Sequence, residues 1–521
     1  MAGNDNRTDS SYNSLENGKG NDEMEVVWFK RDLRIRDHAP LTGAAAAGPV
    51  LALFLHEPEV ILAPDFSAAH AGFIRECLGS LNLALQERGT DLVEITGSAT
   101  DVFDWIWQQR PFTTLWSHEE TGNWASYGRD KRVAAWCRRR GVRWLQCPQN
   151  GVIRGRSARE ARDWISELED YSSSEPVKAP RTIASAEFRS KPVMPDVRLQ
   201  AAGQDKTGRM KGGRAEAIRL LTEFIGSKVV NYPRSISSPL TAEGGCSRLS
   251  PYLAQGVITM REIVLAMNRR VDAPEMALNE YERDRLISAL RFFAERLRWR
   301  AGYFQNMESM PSLEFDNIHQ GMTGLREAEF DPARFAQWKA GETGYPMVDA
   351  AMKMLHHTGW INMRMRGMVL SFAVNELWLH WRELALYLAR EFVDYEPAIH
   401  YNQMQVHAGT AGTGTMLSYN PVKQAQELDP TGAFVRRWLP ALRGVPDTYI
   451  FEPWTMPLAL QAACDVVIGA DYPAPVVNHL EAGRHARSRV AAAHIAAGIR
   501  QRTDAGRAAG KPVDATQTVL F

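Results

Sequence analysis

Short apolar strand segments alternate with helical segments from Val26 to Cys147, and this alternation is what most limits the fold. The apolar segments are VVWF at 26–29, VLALFL at 50–55, DLVEI at 91–95, TTLW at 113–116 and VRWLQC at 142–147. Between them, residues 68–89 and 124–141 have the apolar spacing of helices. Such alternation is typical of a parallel sheet with helices on both faces, so we expect an α/β N-terminal domain with a doubly wound parallel sheet at 24–155.

Most of the chain after residue 213 repeats its apolar residues at helical spacing. In PMVDAAMKML they fall on one face, Pro346 opens the helix and Gly359 follows its end. We therefore expect a large all-helical C-terminal domain at 214–490 and a short tail at 491–521.

Two further segments show no sustained period. Residues 1–23 are rich in Gly, Asn and Asp and lack the apolar stretch of a secretory signal, so we expect a disordered tail. Residues 156–213 contain stretches rich in Pro, Gly, Ser and Lys, which predicts an interdomain segment and long linker.

Composition excludes several classes of protein. No apolar run approaches the roughly 20 residues that cross a bilayer, so no membrane partner is expected. The five cysteines show no C-x-x-C pair and no zinc spacing, which favours a cytoplasmic protein without a metal site. Lys and Arg number 61, as do Asp and Glu, so any nucleic-acid partner must be inferred from local patches.

The helix predicted over 283–304 carries the most informative pattern. One stripe is apolar and is expected to face the core. A second stripe places cations beside aromatic rings, and its members are Arg296, Trp299, Arg300 and Tyr303. This second stripe suits a phosphate backbone with a stacked base, although a solvated basic face with an interfacial tryptophan has the same pattern.

Charged and hydroxyl side chains suggest a cofactor site elsewhere in the helical domain. Arg364 and Arg366 follow one helix, and Asp394 and Glu396 precede Pro397; these residues form either a dry cofactor site or a structural ion pair. GGCSRLSPYLAQG at 244–256 places glycines and serines before an apolar helix, which suits either a bound phosphate or a helix N-cap.

In combination, these segments resemble the DNA photolyase/cryptochrome flavoprotein family from Val26 to about Trp454. VVWFKRDLRIRDHAPL is similar to the family's opening, CSRLSPYLAQG to its flavin-phosphate segment, WKAGETGYPMVDAAMKMLHHTGW to its most specific signature, and YNPVKQAQELDPTGAFVRRWLPAL to its C-terminal one. The resemblance implies a helical domain that binds FAD. It also implies an α/β domain that can hold an antenna chromophore, and the loop at 117–130 leaves a deazaflavin, a folate, a lumazine or an empty cleft open.

The resemblance also implies roles for individual residues. Those implied to bind the cofactor are Tyr232, Ser247, Arg248, Leu249, Ser250, Phe293, Arg366, Asp394 and Glu396. Those implied to act at the lesion are Arg296, Trp299 and His400, and those implied to contact DNA are Arg300, Tyr303, Met363 and Arg364. Trp381 and Tyr401 are candidates for electron transfer to the flavin.

The same pocket departs from the family pattern. Arg296 stands where the family's dimer-repair enzymes usually have a glutamate, Met363 where they have an asparagine, and His400 where an asparagine faces flavin N5. Of the usual three electron-carrying tryptophans only Trp381 is kept, because Ala328 and Met404 replace the other two.

We expect the protein to be a deoxyribodipyrimidine photolyase, a carbon–carbon lyase that uses blue light and reduced FAD to split cyclobutane pyrimidine dimers. The segment between Met404 and Asn420 is shorter than usual and resembles a bacterial branch related to class I photolyases. This favours UV-damaged, single-stranded DNA as the partner of a monomer. A cryptochrome-like blue-light photosensor and a (6-4) photoproduct photolyase remain alternatives.

Overall fold

A computed structural model of the protein describes residues 23–155, 164–188, 201–272, 279–414 and 416–499. The expected disordered tail therefore lies outside the described residues except for Glu23. The same is true of residues 500–521 in the expected C-terminal tail and of parts of the expected linker.

A parallel sheet organises the N-terminal domain, as predicted. Within the described residues it has five strands in the order β3-β2-β1-β4-β5. The strands are β1 (Glu25–Phe29), β2 (Val50–His56), β3 (Leu92–Thr96), β4 (Thr114–His118) and β5 (Arg143–Cys147). Val27 of β1 pairs with Ala52 of β2 on one side and with Trp116 of β4 on the other. The chain order reverses between β1 and β4, which is where open parallel sheets bind ligands at the carboxyl ends of their strands.

Helices cover both faces of this sheet, and this explains why four of the five residues of its central strand β1 are apolar. They are α1 (Ala39–Ala47), α2 (Pro58–Ile61), α3 (Ala68–Gln86), α4 (Ala99–Gln109) and α5 (Trp124–Arg140). All five residues of β1 are buried, as expected for a strand without a solvent face. Gly141 ends α5 in the left-handed conformation with φ of 70°, which a glycine adopts without steric cost.

The segment after the sheet follows the α/β domain closely. It contains α6 (Trp164–Ser173). Ile183 then donates its amide to the carbonyl of Arg88, and Ser185 forms a parallel bridge with Val50 at the start of β2. The described part of the expected linker is thus fixed to the sheet and to the end of α3.

The rest of the described chain is helical, in agreement with the predicted fold class. Its α-helices are α7 (Arg214–Glu223), α8 (Tyr232–Ser235), α9 (Pro239–Gly245), α10 (Ser250–Ala254), α11 (Met260–Asp272), α12 (Glu280–Ser309), α13 (Pro332–Ala340), α14 (Pro346–Thr358), α15 (Met363–Ser371), α16 (Trp381–Glu391), α17 (Pro397–Ala408), α18 (Pro421–Leu428), α19 (Ala433–Trp438), α20 (Leu458–Ala463) and α21 (His479–Ala496). Shorter 3₁₀ and π turns join them, including a π-helix at Phe372–Glu376. The last helix continues to Ala496, beyond the domain boundary expected at residue 490.

A continuous apolar core joins the two domains. Val27 and Phe29 of the sheet belong to the same buried cluster as Leu290 and Leu297 of α12. The predicted core stripe of α12 is buried as expected, and a second large cluster surrounds α14, α15 and α17. Among the described residues, no helix is both long and apolar enough to cross a membrane.

Candidate functional site

The predicted cofactor-binding residues come from separate parts of the helical domain. Tyr232 lies in α8; Ser247, Arg248 and Leu249 precede α10, which begins at Ser250; Phe293 lies in α12, Arg366 in α15, and Asp394 and Glu396 in the connection between α16 and α17. The rings of Tyr232 and Phe293 are 5.6 Å apart. Asp394 and Arg366 are both close enough to Arg248 to affect its pKa. The fold therefore gathers these residues around one region.

Arg248 is the most constrained of these residues. Its φ of 56° lies in the left-handed region, which a non-glycine residue rarely adopts outside sites that require it. The guanidinium lies 3.8 Å from the ring centre of Trp360, and its buried Nε has no hydrogen-bond partner among the described residues. Burial lowers the pKa of Arg248 from its usual value. This donor is held in place and is available to an anionic or carbonyl acceptor.

Arg366 and Asp394 form the predicted ion pair. Nη2 of Arg366 donates to both carboxylate oxygens of Asp394, at 3.0 and 2.8 Å, and Nε donates to the carbonyl of Ile361 at 2.9 Å. The guanidinium also lies 4.1 Å from the ring centre of Phe392. The Asp394 side chain is only 3% exposed, so its charge is held in a largely dry environment.

Glu396 connects the two domains. Its Oε2 accepts from Nη2 of Arg31 at 2.7 Å and lies 3.5 Å from Nη2 of Arg300. Burial raises the pKa of Glu396, while the charges of Arg31 and Arg300 oppose that rise. Oε1 is buried and has no hydrogen-bond partner in the described part of the chain. Oε2 is thus occupied by contacts with the two arginines, and Oε1 is available to a ligand.

Arg300 does not have the surroundings expected of a DNA contact. It is 8% exposed, and it donates to Oδ1 of Asn150 at 3.0 Å and to the carbonyl of Leu253 at 3.2 Å. Burial lowers its pKa to about 10. Arg300 lies on the same side of α12 as the buried residues Leu297 and Phe304, because these positions are three and four residues away. It therefore faces the domain interface. These contacts indicate a structural role for Arg300, and its expected contact with DNA stays a prediction.

Tyr232, Leu249 and Phe293, which are predicted to bind the cofactor, also pack against the protein core. Leu249 is 1% exposed, and Phe293 packs edge-on against Phe224 at 4.7 Å and against Tyr232. Ser247 and Ser250, at the entry to α10, remain partly accessible. The aromatic cluster fixes α8 against α12, and it thereby fixes one wall of the region that Arg248 faces.

His400 lies in α17 beside the ion pair. Its Nε2 donates to the carbonyl of Ala385 at 2.8 Å, so Nδ1 is the unprotonated nitrogen of the neutral ring. Burial lowers the pKa of His400 to about 4, and Arg366 opposes protonation as well. At neutral pH this histidine offers a hydrogen-bond acceptor, whereas an asparagine in its place would offer both a donor and an acceptor.

Two of the predicted lesion residues, Arg296 and Trp299, form an aromatic and cationic surface on α12. The Arg296 guanidinium lies 3.6 Å from the ring centre of Trp299 and 4.1 Å from that of Phe292. Its buried Nη1 has no hydrogen-bond partner among the residues described. Next along the helix, the Tyr303 hydroxyl accepts from the Gln403 amide, whose buried oxygen likewise lacks a partner within the described chain. We call Arg296, Trp299, Tyr303 and Gln403 the α12 surface.

Gln403 is a residue that the sequence analysis missed. It lies directly before Met404, which stands where the family usually has a tryptophan. The signal available was its spacing of three residues from His400 on α17, which places both side chains on one side of that helix.

Met363 and Arg364 begin α15. Met363 is 37% exposed, and Arg364 lies 5.4 Å from the ring centre of Tyr419. The preceding Asn362 donates to the carbonyls of Ile236 and Ser237, which fixes the start of α15 against the segment after α8. Both predicted DNA contacts are therefore presented from an anchored helix end.

The candidate electron carriers are fully buried. Trp381 donates from Nε1 to Oδ1 of Asn317 at 2.7 Å. The hydroxyl of Tyr401 lies 3.3 Å from that of Tyr395, which in turn donates to Oδ2 of Asp65 at 2.8 Å. Tyr395 was missed by the sequence analysis, although an aromatic residue between Asp394 and Glu396 is a visible signal. The two tyrosines and the carboxylate form a continuous hydrogen-bonded chain.

A cavity of about 470 Å³ lies at the carboxyl ends of β1, β2 and β4, where the antenna was expected. Its lining includes Phe54, His56, Asn123, Ser126 and Arg129 from the α/β domain, and Tyr395 and Pro397 from the helical domain. The connection that carries Asp394 and Glu396 thus also forms part of the wall of this cavity. A chromophore here would lie close to the predicted flavin region.

Asp32, His38 and His118 form a buried cluster near the end of β1. Their spacing in the sequence did not predict this cluster. Their ligand atoms lie within 4.8 Å of one another. Oδ2 of Asp32 is 2.7 Å from Nδ1 of His118 and 3.0 Å from Nε2 of His38. Because Nδ1 of His38 accepts the amide of Leu41, its Nε2 carries the proton and faces Asp32. His118 is hydrogen-bonded to Asp32, whereas Nε2 of His38 lies near the carboxylate but has no hydrogen-bond partner among the described residues. The absence of a metal stays a prediction.

Two models of known protein families match this chain. A family model described as DNA photolyase matches residues 25–163, and one described as the FAD binding domain of DNA photolyase matches residues 292–492. The chain belongs to the DNA photolyase/cryptochrome family. This confirms the resemblance, and the predicted fold is confirmed with it.

Relatives named photo-lyase and relatives named cryptochrome have similar sequence identities to this chain. The chain is 28% identical over 482 residues to the deoxyribodipyrimidine photo-lyase of Escherichia coli K12, covering 88% of this chain and 96% of that protein. It is 27% identical over 480 residues to the cryptochrome DASH of Gloeobacter violaceus, covering 87% and 93%. The crystal structure of an archaeal photolyase from Sulfolobus tokodaii with two FAD molecules superposes with a TM-score of 0.72 at 25% identity, over 89% of this chain and 99% of that one.

FAD is the cofactor of the helical domain, and the described residues fit it. The unpartnered Nε of Arg248 is a donor that a phosphate can satisfy, and the unpartnered Oε1 of Glu396 is an acceptor for a ring N–H. The Arg366–Asp394 pair adds fixed charge nearby. The role of each individual residue stays a prediction.

Proposed function

We propose that the protein is a light-dependent photolyase that splits cyclobutane pyrimidine dimers, with a preference for single-stranded DNA. The observation that carries the proposal is the α12 surface. It combines an aromatic face, a cationic donor and an amide oxygen, and the donor and the oxygen lack partners among the described residues. A pyrimidine offers the complement, since it has carbonyl acceptors, an N3–H donor and a ring that stacks.

Each residue of this surface has a distinct part in the proposal. Trp299 supports the ring of the dimer, Arg296 donates to a base carbonyl, and Gln403 accepts from a base N–H. FAD, when bound in its reduced form, supplies the absorption of blue light and the electron that is lent to the dimer. Two carbon–carbon bonds between the bases would break in this repair, which would involve no net oxidation or reduction.

Arg296 also supplies electrostatic stabilisation. Its nearest carboxylate, that of Glu295, is 4.0 Å away, so the positive charge is poorly compensated. A cation in a partly dry site stabilises negative charge that develops on the dimer after it accepts the electron. This gives the arginine a reason to stand where related dimer-repair enzymes have a glutamate.

The preference for single strands is supported by the short connection between α17 and α18. Gly409 ends α17 in the left-handed conformation, and the amide of His319 donates to the carbonyl of Thr410, so the start of this connection is held against the protein. Residues that fill the gap left by a flipped-out dimer are needed in duplex DNA, but a single strand exposes its bases without them.

The test is loss of thymine dimers under blue light, measured by chromatography on single-stranded and duplex oligonucleotides with the flavin fully reduced beforehand. We expect repair in both, with faster repair of the single strand. Trp299→Ala should weaken binding by roughly tenfold or more, because base stacking contributes about 1–3 kcal/mol. Trp124→Ala is the matched control, since Trp124 is 51% exposed in the α/β domain. Absence of repair in both substrates would refute the proposal.

A blue-light photosensor is the second candidate, favoured by the similarity to a cryptochrome DASH and by the changed residues Arg296 and His400. The same experiment separates the two functions. A sensor would show a reversible light-induced change in its flavin spectrum without dimer loss, and an oligonucleotide with a (6-4) photoproduct tests the third alternative in parallel.

A further inference from the structure

A second cavity, of about 500 Å³, lies between the α/β domain and the start of the helical domain. Its walls come from the segment after β1, the second half of α3, residues 178–179 and the first residue of α7. It shares no lining residue with the antenna cavity. Nothing in the proposed repair reaction uses it. Its volume lies within the roughly 300–1,000 Å³ that small-molecule sites occupy.

The lining of this cavity is strongly cationic. Its charged members are Arg34, Arg36, Arg88, Lys178, Arg214 and Glu87. Five positive charges thus face one negative charge in a chain whose overall formal charge is zero. A concave surface of one sign concentrates ions of the opposite sign.

Two of these arginines are fixed by the protein itself. Arg34 donates to the carbonyls of Asp37 and Gly256, and Arg214 donates to the carbonyl of Val257 and to the Glu262 carboxylate. Their guanidinium groups are held rigidly and supply positive field without needing to move. Rigid charges lose little entropy when a ligand arrives.

The other cations have unused donors. Nε of Arg88 is buried without a hydrogen-bond partner in the described part of the chain, although its Nη1 donates to the carbonyl of Ala84 at 3.0 Å and to the Glu87 carboxylate at 3.4 Å. Nε of Arg36 is 3.6 Å from Glu262, which is beyond hydrogen-bond distance, and that carboxylate already accepts from Arg214. Lys178 is exposed. Buried polar groups in proteins nearly always have a partner, so the Arg88 donor points to a missing acceptor.

The floor of the cavity is apolar and includes Leu33, Ile35, Leu81 and Ala84. Ser80 at its edge accepts the amide of Arg214, which leaves the proton of its hydroxyl to be donated. A bare inorganic anion uses the donors but not this floor. A molecule with an anionic group and a flat organic part uses both.

We propose that this cavity binds a phosphate-bearing small molecule of nucleotide size, with its phosphates held by Arg36, Arg88 and Lys178 and its organic part on the apolar floor. Phosphate suits these donors because each of its oxygens accepts several charge-assisted hydrogen bonds. The cavity is separate from the flavin region, so this binding does not depend on the repair activity.

Isothermal titration of the full-length, FAD-loaded protein with ATP, inorganic pyrophosphate and adenosine tests the proposal. ATP and pyrophosphate should bind saturably and adenosine should not, and binding should weaken as ionic strength rises. ATP binding more tightly than pyrophosphate supports a nucleotide-sized ligand that uses the apolar floor, whereas equal affinity means that only the phosphate groups are bound and overturns the part of the proposal that concerns the floor. Both results support a phosphate site.

Variants then locate the binding. Arg36→Ala, Arg88→Gln and Lys178→Ala should each weaken ATP binding roughly tenfold, as expected for the loss of one charge-assisted contact. Arg437→Ala and Lys423→Ala, which remove exposed charges elsewhere in the helical domain, are the matched controls. FAD content and dimer repair of all five should equal those of the wild type, which shows that they are folded.

Three outcomes would overturn the proposal. The first is that neither ATP nor pyrophosphate binds at concentrations up to about 10 mM, a range that detects even very weak sites. The second is that the cavity variants bind ATP as tightly as the controls. The third is that the cavity variants lose affinity for undamaged DNA but not for ATP, which would make this surface a nucleic-acid contact.

Discussion

Replacing Arg300 with methionine should destabilise the protein, and this separates a structural role from a DNA contact. The arginine side chain is 9% exposed and has three acceptors within 3.5 Å, in Asn150, Leu253 and Glu396. Methionine fills a similar length of space but donates no hydrogen bond, so Glu396 is left with Arg31 as its charged neighbour. Removing one member of a buried ion pair costs roughly 3–5 kcal/mol, and Arg31 brings the expected loss to the lower end, about 3 kcal/mol.

The matched control is Arg298→Met on the same helix. Arg298 is 44% exposed and pairs with the exposed Glu169 at 3.0 Å, so its loss should cost less than about 1 kcal/mol. Urea unfolding followed by tryptophan fluorescence measures both variants, with the midpoint compared at unchanged slope. DNA affinity at several salt concentrations completes the test, since loss of a phosphate contact reduces the log–log slope by about 0.9 for duplex DNA and about 0.7 for a single strand. A variant of Arg300 with wild-type stability and a reduced salt slope would refute the structural assignment.

Three further predictions concern the flavin region and the buried histidines. Asp394→Asn should lower the FAD content of the purified protein, seen as a reduced ratio of flavin to protein absorbance, because Arg366 loses its charged partner; full retention of FAD would contradict the assigned pair. Photoreduction of oxidised FAD should be slowed by Trp381→Phe and kept by Met404→Ala, and equal wild-type rates in both would argue against Trp381 as the carrier. Burial lowers the pKa of His118 to about 3, so an unfolded chain binds the proton first and stability should fall as pH drops from about 6.5 toward 3. The slope from this residue is at most about 1.4 kcal/mol per pH unit, and His118→Gln should flatten the dependence measured by urea unfolding at pH 4–6.

The sheet could be predicted from the sequence because its three central strands, β1, β2 and β4, are almost entirely buried. Such strands are short apolar runs with little polar interruption, and each predicted run overlaps an observed strand, as VLALFL at 50–55 overlaps Val50–His56. The helix at Pro346–Thr358 was equally predictable, because Pro346 and Gly359 mark its two ends. The packing of the linker was not, since the amide of Ile183 and the backbone of Ser185 make main-chain contacts that no side-chain pattern encodes.

The candidate site was predictable only in part, for a related reason. Residue types alone indicated that arginines and carboxylates would meet, whereas the specific pair Arg366–Asp394 is implied by the family resemblance. The chain from Tyr401 through Tyr395 to Asp65 spans more than 300 residues and both domains, so its members are near each other only in the folded protein. The same holds for Asp32, His38 and His118, whose meeting depends on β1 and β4 being neighbours in the sheet.

Arg296 and Arg300 lie one turn apart on α12, and their different surroundings give them different roles. Arg300 faces inward, where Glu396 compensates its charge and protein acceptors use its donors. Arg296 lies one turn earlier, stacked on Trp299, with Glu295 no nearer than 4.0 Å and a donor without a partner among the described residues. A cation that is paired with a carboxylate stabilises the fold. A cation without a close carboxylate, in a partly dry site, can stabilise negative charge that develops only during a reaction. The α12 helix thus supports the domain interface with one arginine and, in the proposed function, the reaction with the other. A polar pattern read along the sequence assigns both residues to the same stripe.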